Sequence, residues 1–202
     1  MPTRSYRGRG RTDRSEQTRR RITAAVAELM AEGAFHESTV EQVADRAGVS
    51  RATLYQHFRS RLDLVDAICE RFDENPALLT IRASVQLADA DAAVDETLAA
   101  TVAFWSSEDA ILAQLYGVAA IDAAARDFVD RQRADRRGEM TRLARHLRER
   151  GWLRAQLSAP GALALLMVLT SYETFCELRR AGADDGEIVR TLRASARALL
   201  AG

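Results

Sequence analysis

Residues 39–58 read TVEQVADRAGVSRATLYQHF, and this stretch decides the fold of the N-terminal part of the chain. Its first helix starts after Ser38 or Thr39, each of which is followed three residues later by Glu or Gln, as in a capping box. Gly48 can adopt a left-handed turn at no steric cost, and Ser50 is suited to cap a second, short helix. The inward face of the first helix is expected to consist of Val40, Val43, Ala44 and Ala47. This pattern predicts a helix-turn-helix.

The second of these helices, about residues 51–58, has a side-chain distribution that suits DNA. At 100° per residue, Leu54 and Phe58 share the inward side. The outward side combines a small apolar residue, a hydroxyl and an amide: Ala52, Thr53 and Gln56. Such groups pair with base edges, whereas the flanking hydroxyl of Tyr55 and imidazole of His57 suit phosphate oxygens. We therefore expect this helix to enter the major groove.

The arginines of the chain are unevenly distributed. Residues 1–61 hold 12 arginines against 7 acidic residues, whereas residues 62–202 hold 17 against 22, so the formal net charge of zero hides +5 and −5. Arg51 and Arg61 add positive charge at the starts of two successive predicted helices. A basic head on an acidic body indicates a polyanionic partner for the head. The alternative, a merely solvated basic surface, is less favoured because the charge coincides with the motif.

The segment STVEQVADRAGVSRATLYQHFRSRLDL, residues 38–64, resembles the DNA-binding domain of the TetR/AcrR family of bacterial transcriptional regulators. The resemblance covers about residues 15–70 and is tightest over AGVS, TLY and HF. It implies that Thr39, Thr53, Tyr55 and His57 help to contact the DNA backbone, and that residues around Arg51, Ala52 and Gln56 read bases. The family usually has lysine where this chain has Arg61; the charge is kept, so a phosphate contact is still expected. The predicted DNA-binding set is Thr39, Ser50, Arg51, Ala52, Thr53, Tyr55, Gln56, His57 and Arg61.

Other interpretations of these residues are open at the level of sequence. A helix-turn-helix also occurs in packing roles without DNA, and Ala52 and Gln56 add no specificity if the protein reads DNA shape. His57 has no second histidine at ligand spacing, so a metal site there is disfavoured. No HExxH, GxSxG, P-loop or GxGxxG pattern is present, so neither an enzyme nor a cofactor is expected. The alternative from another class is an all-α small-molecule-binding protein or enzyme with a vestigial DNA-binding head.

Three segments are predicted along the chain. Residues 1–14 are polar, contain glycine and lack periodicity, so we expect an arginine-rich arm that is disordered alone. Such an arm would contact phosphates, follow the minor groove, or act only as a solubilising tail. Residues 15–74 form the predicted DNA-binding domain, with its first helix starting near Ser15, and residues 75–202 the predicted ligand-binding and dimerisation domain.

The C-terminal body is predicted to be helical, which makes the whole chain all-α. Alanine and leucine abound, and only three prolines occur. Residues 77–88 are apolar with a mixed period, and helices are expected at about 90–106, 108–119, 122–150, 159–181 and 185–201. The segment 159–181 is apolar nearly all round, so it must be covered on every face. The simplest way to bury the apolar face that does not contact the core of its own domain is contact with a second subunit.

The family resemblance implies that the last two helices form a four-helix dimer interface and that the body holds a pocket for a small-molecule effector. The candidate lining residues are Phe104, Trp105, Tyr116, Phe128, Met167, Tyr172 and Phe175. Each is as often plain core as pocket wall. Few polar groups would converge on an anionic ligand, which favours an apolar or aromatic effector. On this interpretation, a homodimer binds a pseudo-palindromic operator in double-stranded DNA, most simply as a repressor.

Two charged stretches in the body have simple structural explanations. Residues 184–187 (DDGE) suit a helix cap with acidic side chains in the first turn better than a metal site. Residues 131–137 (RQRADRR) suit a solvated helix face, with a secondary anion site as the alternative.

The sequence also indicates in which cellular compartment the protein is expected. No apolar run approaches the roughly 20 residues that span a bilayer. The arginine-rich N-terminus lacks the apolar segment of a secretory signal, and the two cysteines fit no disulfide framework. We therefore expect a cytoplasmic protein without membrane contact.

Overall fold

The computed structural model describes the backbone of residues 6–202 and the side chains of residues 13–202, apart from those at positions 69, 118 and 124. The predicted all-α class is confirmed, because this part of the chain contains helices and a single isolated β-bridge, between Leu153 and Ala201. The helices are α1 (Tyr6–Ala31), α2 (Val40–Ala47), α3 (Arg51–His57), α4 (Arg61–Phe72), α5 (Pro76–Ser84), α6 (Ala90–Val118), α7 (Ala123–Glu149), α8 (Ala159–Leu169), α9 (Tyr172–Arg180) and α10 (Asp185–Leu200). One 3-10 turn, Phe35–Glu37, precedes α2.

The start of α1 differs from the prediction. Residues 1–5 of the predicted arm lie outside the described residues, but residues 6–14 are helical rather than disordered, and α1 does not start at Ser15. Once the buried turns around Ile22 and Val26 have formed a helix, each further residue adds a hydrogen bond without a new nucleation cost. Arginine, which dominates this stretch, is a good helix former.

The helix α6 is continuous through the break that was predicted at Ser106 and Ser107, so that prediction is wrong. The Ser107 hydroxyl donates to the Phe104 carbonyl oxygen at 3.0 Å, which satisfies the side chain without leaving the helix. Buried apolar residues on both sides of the serines, among them Phe104 and Leu112, hold the helix on its core.

The predicted helix over residues 159–181 is in fact two helices, α8 and α9, bent by 46° relative to each other. Thr170 ends the first, and its hydroxyl donates back to the Leu166 carbonyl oxygen at 2.7 Å. Ser171 caps the second by accepting a hydrogen bond from the Thr174 amide at 3.0 Å. Thr170 and Ser171 therefore interrupt the helix: the first residue ends α8, and the second caps the start of α9.

The chain forms two compact units. The first contains the residues up to 71 together with residues 110–129, and the second contains residues 72–109 and 130–202; α6 and α7 contribute to both. Within the first unit α1 packs on α2, and α2 on α3. Its buried core includes Ile22, Val26, Met30, Val43, Ala44, Leu54, Phe58, Val65 and Ile68. In the second unit α10 packs on α8 and α9.

The turn between α2 and α3 is built on Gly48, whose φ of 63° is left-handed. The Gly48 amide donates to the Asp45 carbonyl oxygen and the Val49 amide to that of Ala44, both at 3.0 Å, as in a Schellman motif. Arg21 of α1 donates to the carbonyl oxygens of Ala47 at 2.7 Å and Gly48 at 2.8 Å. The otherwise free carbonyl groups at the end of α2 are thus satisfied, and the direction in which the chain enters α3 is set.

No single helix among the described residues is long and apolar enough to cross a membrane, while α8 and α9 taken together reach that length and composition.

Replacing Gly48 by alanine should destabilise the protein by about 1–2 kcal/mol, since a residue with a Cβ atom resists the left-handed conformation. The new Cβ would also lie 2.7 Å from Arg21 Nη2, which must then leave its carbonyl partners. Thermal unfolding followed by circular dichroism measures the effect. Gly138→Ala, within α7, is the matched control: its Cβ meets only Arg142 at 4.0 Å, so helix propensity should make this variant as stable as the wild type or more so. Equal behaviour of the two variants would contradict this account of the turn.

Candidate functional site

The helix α3 separates a buried side from an exposed one. Leu54 and Phe58 are 2% and 1% exposed, which confirms their predicted inward position. Their burial holds α3 against the rest of the first unit. Among the α3 residues predicted to contact DNA, four are exposed and two are half-buried. The exposed residues are Arg51, Ala52, Tyr55 and Gln56, and the half-buried ones are Thr53 and His57. A small apolar group, an amide and a phenol therefore lie at the surface of a short, firmly anchored helix.

Hydroxyl groups cap both helices of the motif. The Thr39 hydroxyl accepts from the Gln42 amide at 3.2 Å while the Gln42 side chain accepts from the Thr39 amide at 2.8 Å, so Thr39 rather than Ser38 forms the capping box. Ser50 accepts from the Thr53 amide at 3.0 Å and shares a 2.8 Å hydrogen bond with the Thr53 hydroxyl. The predicted site residues Thr39, Ser50 and Thr53 thus stand at helix N-termini, where backbone N–H groups and the helix dipole favour anions.

Arg51 is the first residue of α3 and forms an exposed ion pair. Its guanidinium pairs with the Glu41 carboxylate at 2.5 Å and lies 5.7 Å from the centre of the Tyr55 ring. More than half of both charged side chains is exposed, so this ion pair is worth little in water. A phosphate could therefore take the place of Glu41 at small cost, which leaves Arg51 available to DNA.

Arg61 is placed differently from the other predicted site residues. Its guanidinium lies 3.9 Å from the centre of the Phe35 ring and donates to the carbonyl oxygens of Phe35 and Ser38, the latter at 3.0 Å. Burial lowers the pKa of Arg61, while the Asp122 carboxylate acts in the opposite direction. The side chain is therefore occupied in supporting the turn before α2 and is not presented together with the exposed side of α3. Arginine suits this role better than lysine because its planar fork stacks and donates twice.

Two features of this region were missed from the sequence. Asp63 accepts hydrogen bonds from the Ser60 hydroxyl at 2.7 Å and the Arg59 amide at 2.8 Å, and these bonds lower the pKa of its carboxyl group. The Ser-x-x-Asp spacing was a usable signal for this cap of α4. The contact of Arg21 with the end of α2 had no such signal, because the partners lie 26 positions apart.

Part of the positive charge of the first unit is neutralised internally. Arg46 forms a two-pronged pair with Glu32 at 2.8 and 2.9 Å, and Arg19 pairs with Glu70 at 2.7 Å while its guanidinium lies 4.7 Å from the Phe58 ring centre. Arg14 and Arg20 are exposed and, within the described part of the chain, have no carboxylate partner. These two add to the charge that remains available to an anion.

The second unit contains a pocket of about 540 Å³ of empty space, part of it open to solvent. It is lined from α5, α6 and α7, with Asp73 at its edge. Two of the residues that the sequence proposes as ligand-binding, Phe104 and Trp105, belong to its wall. The other predicted candidates do not line this pocket: Tyr116, Phe128, Met167, Tyr172 and Phe175. Phe128, for example, is fully buried in the first unit.

Tyr172 and Phe175 instead pack behind the pocket wall. The ring centres of Trp105 and Tyr172 are 5.4 Å apart, and Phe175 stacks on Tyr172 at 6.0 Å. The Tyr172 hydroxyl donates to the Asp109 carboxylate at 2.5 Å, and burial, with this bond, raises the pKa of Tyr172. Tyr172 therefore remains a neutral donor that holds Trp105 in place. Aromatic residues at helical spacing in the sequence do not distinguish this supporting layer from the wall.

The described residues contain no cluster of three or more His, Cys, Asp or Glu arranged to hold a metal ion. The acidic residues at 184–187 form the predicted cap: Asp184 accepts from the Glu187 amide at 2.8 Å, and the Glu187 side chain accepts from the Asp184 amide at 3.0 Å.

Residues 22–68, which run from the buried part of α1 into α4, match the family described as bacterial regulatory proteins, tetR family. The N-terminal domain is a TetR-family domain. The activator FasR of Mycolicibacterium smegmatis, named an HTH-type transcriptional activator, is 37% identical over 60 residues, which make up 30% of this chain and 27% of FasR. The chain covers 27%, 25% and 40% of the lengths of three such curated relatives, so their similarity concerns the N-terminal domain.

Solved structures extend the likeness to about nine tenths of the chain. A complex of SmeT with triclosan superposes with a TM-score of 0.74 at 19% identity over 92% of each chain. The TetR-family regulator PfmR from Thermus thermophilus superposes with a TM-score of 0.66 at 17% identity, over 89% of this chain and 94% of PfmR. At such identities the likeness concerns the fold, so the second unit of this chain also has the fold of TetR-family proteins.

Proposed function

We propose that this protein is a sequence-specific, ligand-responsive transcriptional regulator that binds operator DNA as a homodimer in the cytoplasm. The observation that carries the proposal is α3: two buried anchors hold a helix whose opposite side exposes Ala52, Tyr55 and Gln56 to solvent. The TetR-family match over residues 22–68 supports it independently. No catalytic role is proposed.

In this proposal α3 enters the major groove. The Gln56 amide donates to and accepts from one base edge, and the Ala52 methyl group contacts another. Tyr55, His57 and the exposed Arg51 bind phosphate oxygens and so fix the register of the helix on the duplex. Thr39 and Ser50 add phosphate contacts from two capped helix starts. Arg61 acts indirectly, by holding the turn before α2.

The homodimer is proposed to form through α8 and α10. Val168 on α8 is 60% exposed and Leu199 on α10 is 43% exposed, although their neighbours Leu166, Leu169, Ala196 and Leu200 are buried. Two such helices from each subunit would bury these residues in a four-helix interface. Two-fold symmetry then calls for half-sites about 34–36 Å apart on a pseudo-palindromic operator.

The pocket is proposed to bind an effector with an apolar or aromatic body, and a physical link to the dimer helices supports a regulatory role. Trp105 Nε1 at 3.2 Å and Arg136 Nη1 at 2.8 Å both donate to the carbonyl oxygen of Thr170, the residue that ends α8. Both side chains also line the pocket. A ligand that displaces either of them changes the support of α8, and so favours one dimer geometry over another. In this proposal the operator-bound dimer represses transcription, and its release by the effector relieves the repression. The relative FasR is named an activator, so a promoter fusion is needed to determine the direction of the effect.

The second candidate is an all-α small-molecule-binding protein whose DNA-binding head is vestigial. The pocket lined in part by Phe104 and Trp105 favours it. This candidate predicts ligand binding without salt-dependent affinity for DNA.

Replacing Gln56 by alanine should cost about 1–3 kcal/mol on a selected operator and leave the affinity for random DNA unchanged, because only a base contact is lost. Tyr55→Ala should weaken both affinities, because a phosphate contact carries no sequence information. Gel-shift or fluorescence-anisotropy titrations at several salt concentrations measure these effects. Gln156→Ala, at an exposed position outside the helices, is the matched control and should bind like the wild type. Unchanged operator binding by both α3 variants would refute the assigned roles.

Replacing Val168 by arginine should convert the dimer into a monomer at micromolar concentration, because a charge would be buried in the proposed interface. Sedimentation velocity on the full chain measures the change. Leu79→Arg on α5, where the leucine is 51% exposed, is the matched control and should remain dimeric. A dimeric Val168→Arg protein would show that the subunits meet elsewhere.

A further inference from the structure

Three consecutive arginines of α1, Arg19, Arg20 and Arg21, lie on different sides of that helix. At 100° per residue, Arg19 and Arg21 fall on opposite flanks of the buried face that contains Ile22 and Val26, whereas Arg20 falls on the far side. Arg20 is exposed and has no carboxylate partner within the described part of the chain. The two flanking arginines instead contact groups at the two ends of α3.

Arg21 holds the backbone at the start of α3. Its Nη2 atom donates to the carbonyl oxygens of Ala47 at 2.7 Å and Gly48 at 2.8 Å. These groups lie at the C-terminus of α2, where the helix dipole favours a cation, and Gly48 stands two residues before Ser50, the cap of α3. A charged donor also forms stronger hydrogen bonds than a neutral one. Arg21 therefore fixes the backbone from which α3 begins.

Arg19 holds the other end of α3. Its guanidinium lies 4.7 Å from the centre of the ring of Phe58, which is the C-cap residue of α3 and is 1% exposed. The same guanidinium pairs with the Glu70 carboxylate of α4 at 2.7 Å. A cation placed over an aromatic ring is attracted to it. Arg19 therefore packs on a buried anchor of α3 and links that anchor to α4.

The recognition helix needs such support because it is short. It contains seven residues, and a helix of this length has little stability of its own. The reading of base edges requires side chains that are held to within about 0.5 Å of the productive geometry. Attraction to phosphates carries no sequence information and does not depend on that precision. Loss of support at either end of α3 should therefore affect specific binding before it affects binding to DNA in general.

We propose that Arg19 and Arg21 are positioning residues for DNA recognition: they fix the two ends of α3 and so set the preference of the protein for its operator over random DNA. Neither residue belongs to the DNA-binding set predicted from the sequence, and neither contacts a base in this role. The assignment rests on the proposed function and deepens it by naming residues that determine specificity through the position of α3.

The test compares two affinities of the full-length protein, for a selected operator and for a random duplex of the same length, by fluorescence anisotropy at several salt concentrations. Arg21→Gln should lower operator affinity about tenfold and random-duplex affinity by less than about twofold, because base contacts are misaligned while phosphate contacts remain. The dependence of affinity on salt should stay that of the wild type. Arg19→Gln should show the same pattern with a smaller loss of operator affinity, about threefold.

Arg20→Gln is the matched control, since it removes an arginine from between the two positions without removing a contact to α3. Any phosphate contact that Arg20 makes would lower both affinities alike and reduce the salt slope by about 0.9 per contact, so the ratio of the two affinities should stay unchanged. Circular dichroism shows whether each variant is folded. If Arg21→Gln fails to fold, Arg21→Lys keeps the charge, displaces the donor and should lower the ratio about threefold.

A second measurement is made without DNA. In Arg21→Gln, hydrogen exchange of residues 49–58 should be faster than in the wild type, while that of residues 22–30 should change little, because α3 loses its support and the buried part of α1 keeps its packing. Exchange at the wild-type rate throughout would contradict the positioning role.

The proposal is overturned if the folded Arg19 and Arg21 variants keep the wild-type ratio of operator to random affinity. It is also overturned if both affinities fall together with a smaller salt slope, since that result identifies direct phosphate ligands. A wild-type protein that selects no operator rejects the proposed function and this assignment with it. An operator preference that survives in the variants rejects the assignment alone.

Discussion

The left-handed turn at Gly48 sets the direction of α3 and so determines which side chains of the first unit are exposed. Its φ of 63° lets the chain leave α2, satisfy the last carbonyl groups and enter α3 within three residues. Because that turn sets the direction of α3, Leu54 and Phe58 become buried while Ala52 and Gln56 remain at the surface. The proposed recognition of DNA depends on this rigid presentation, since a loosely held helix would lose affinity to ordering entropy on binding.

Local signals explain what could be predicted from the sequence. Caps, the glycine turn and the apolar period of α2 and α3 all act within about four residues, so the helix-turn-helix and its buried face were predictable. The uninterrupted α6 and the break between α8 and α9 were not, because serine and threonine can bond back to the helix or cap a new one. Tertiary packing decides between these outcomes, and the sequence pattern does not contain it.

Long-range contacts explain the remaining differences at the candidate site. Arg61 looked like a phosphate ligand from its position at a helix start, yet carbonyl groups more than twenty positions away engage it. Glu139 lies just after a run of arginines that suggested only a solvated face, yet it is buried and lines a pocket together with residues of α5 and α6. The same pocket wall contacts the end of α8 through Trp105 and Arg136. The proposed ligand pocket and the support of the proposed dimer helix thus share side chains, which is the physical requirement for coupling between them.

The central claim is that two copies of α3, held by a two-fold dimer, read a specific DNA sequence. Selection of bound fragments from random double-stranded DNA by the full-length protein, followed by sequencing, tests it most directly. The account predicts enrichment of an inverted repeat whose half-sites are centred about one helical turn, or a small multiple of one turn, apart. Enrichment of no motif, or of a single half-site without its symmetric partner, would contradict it.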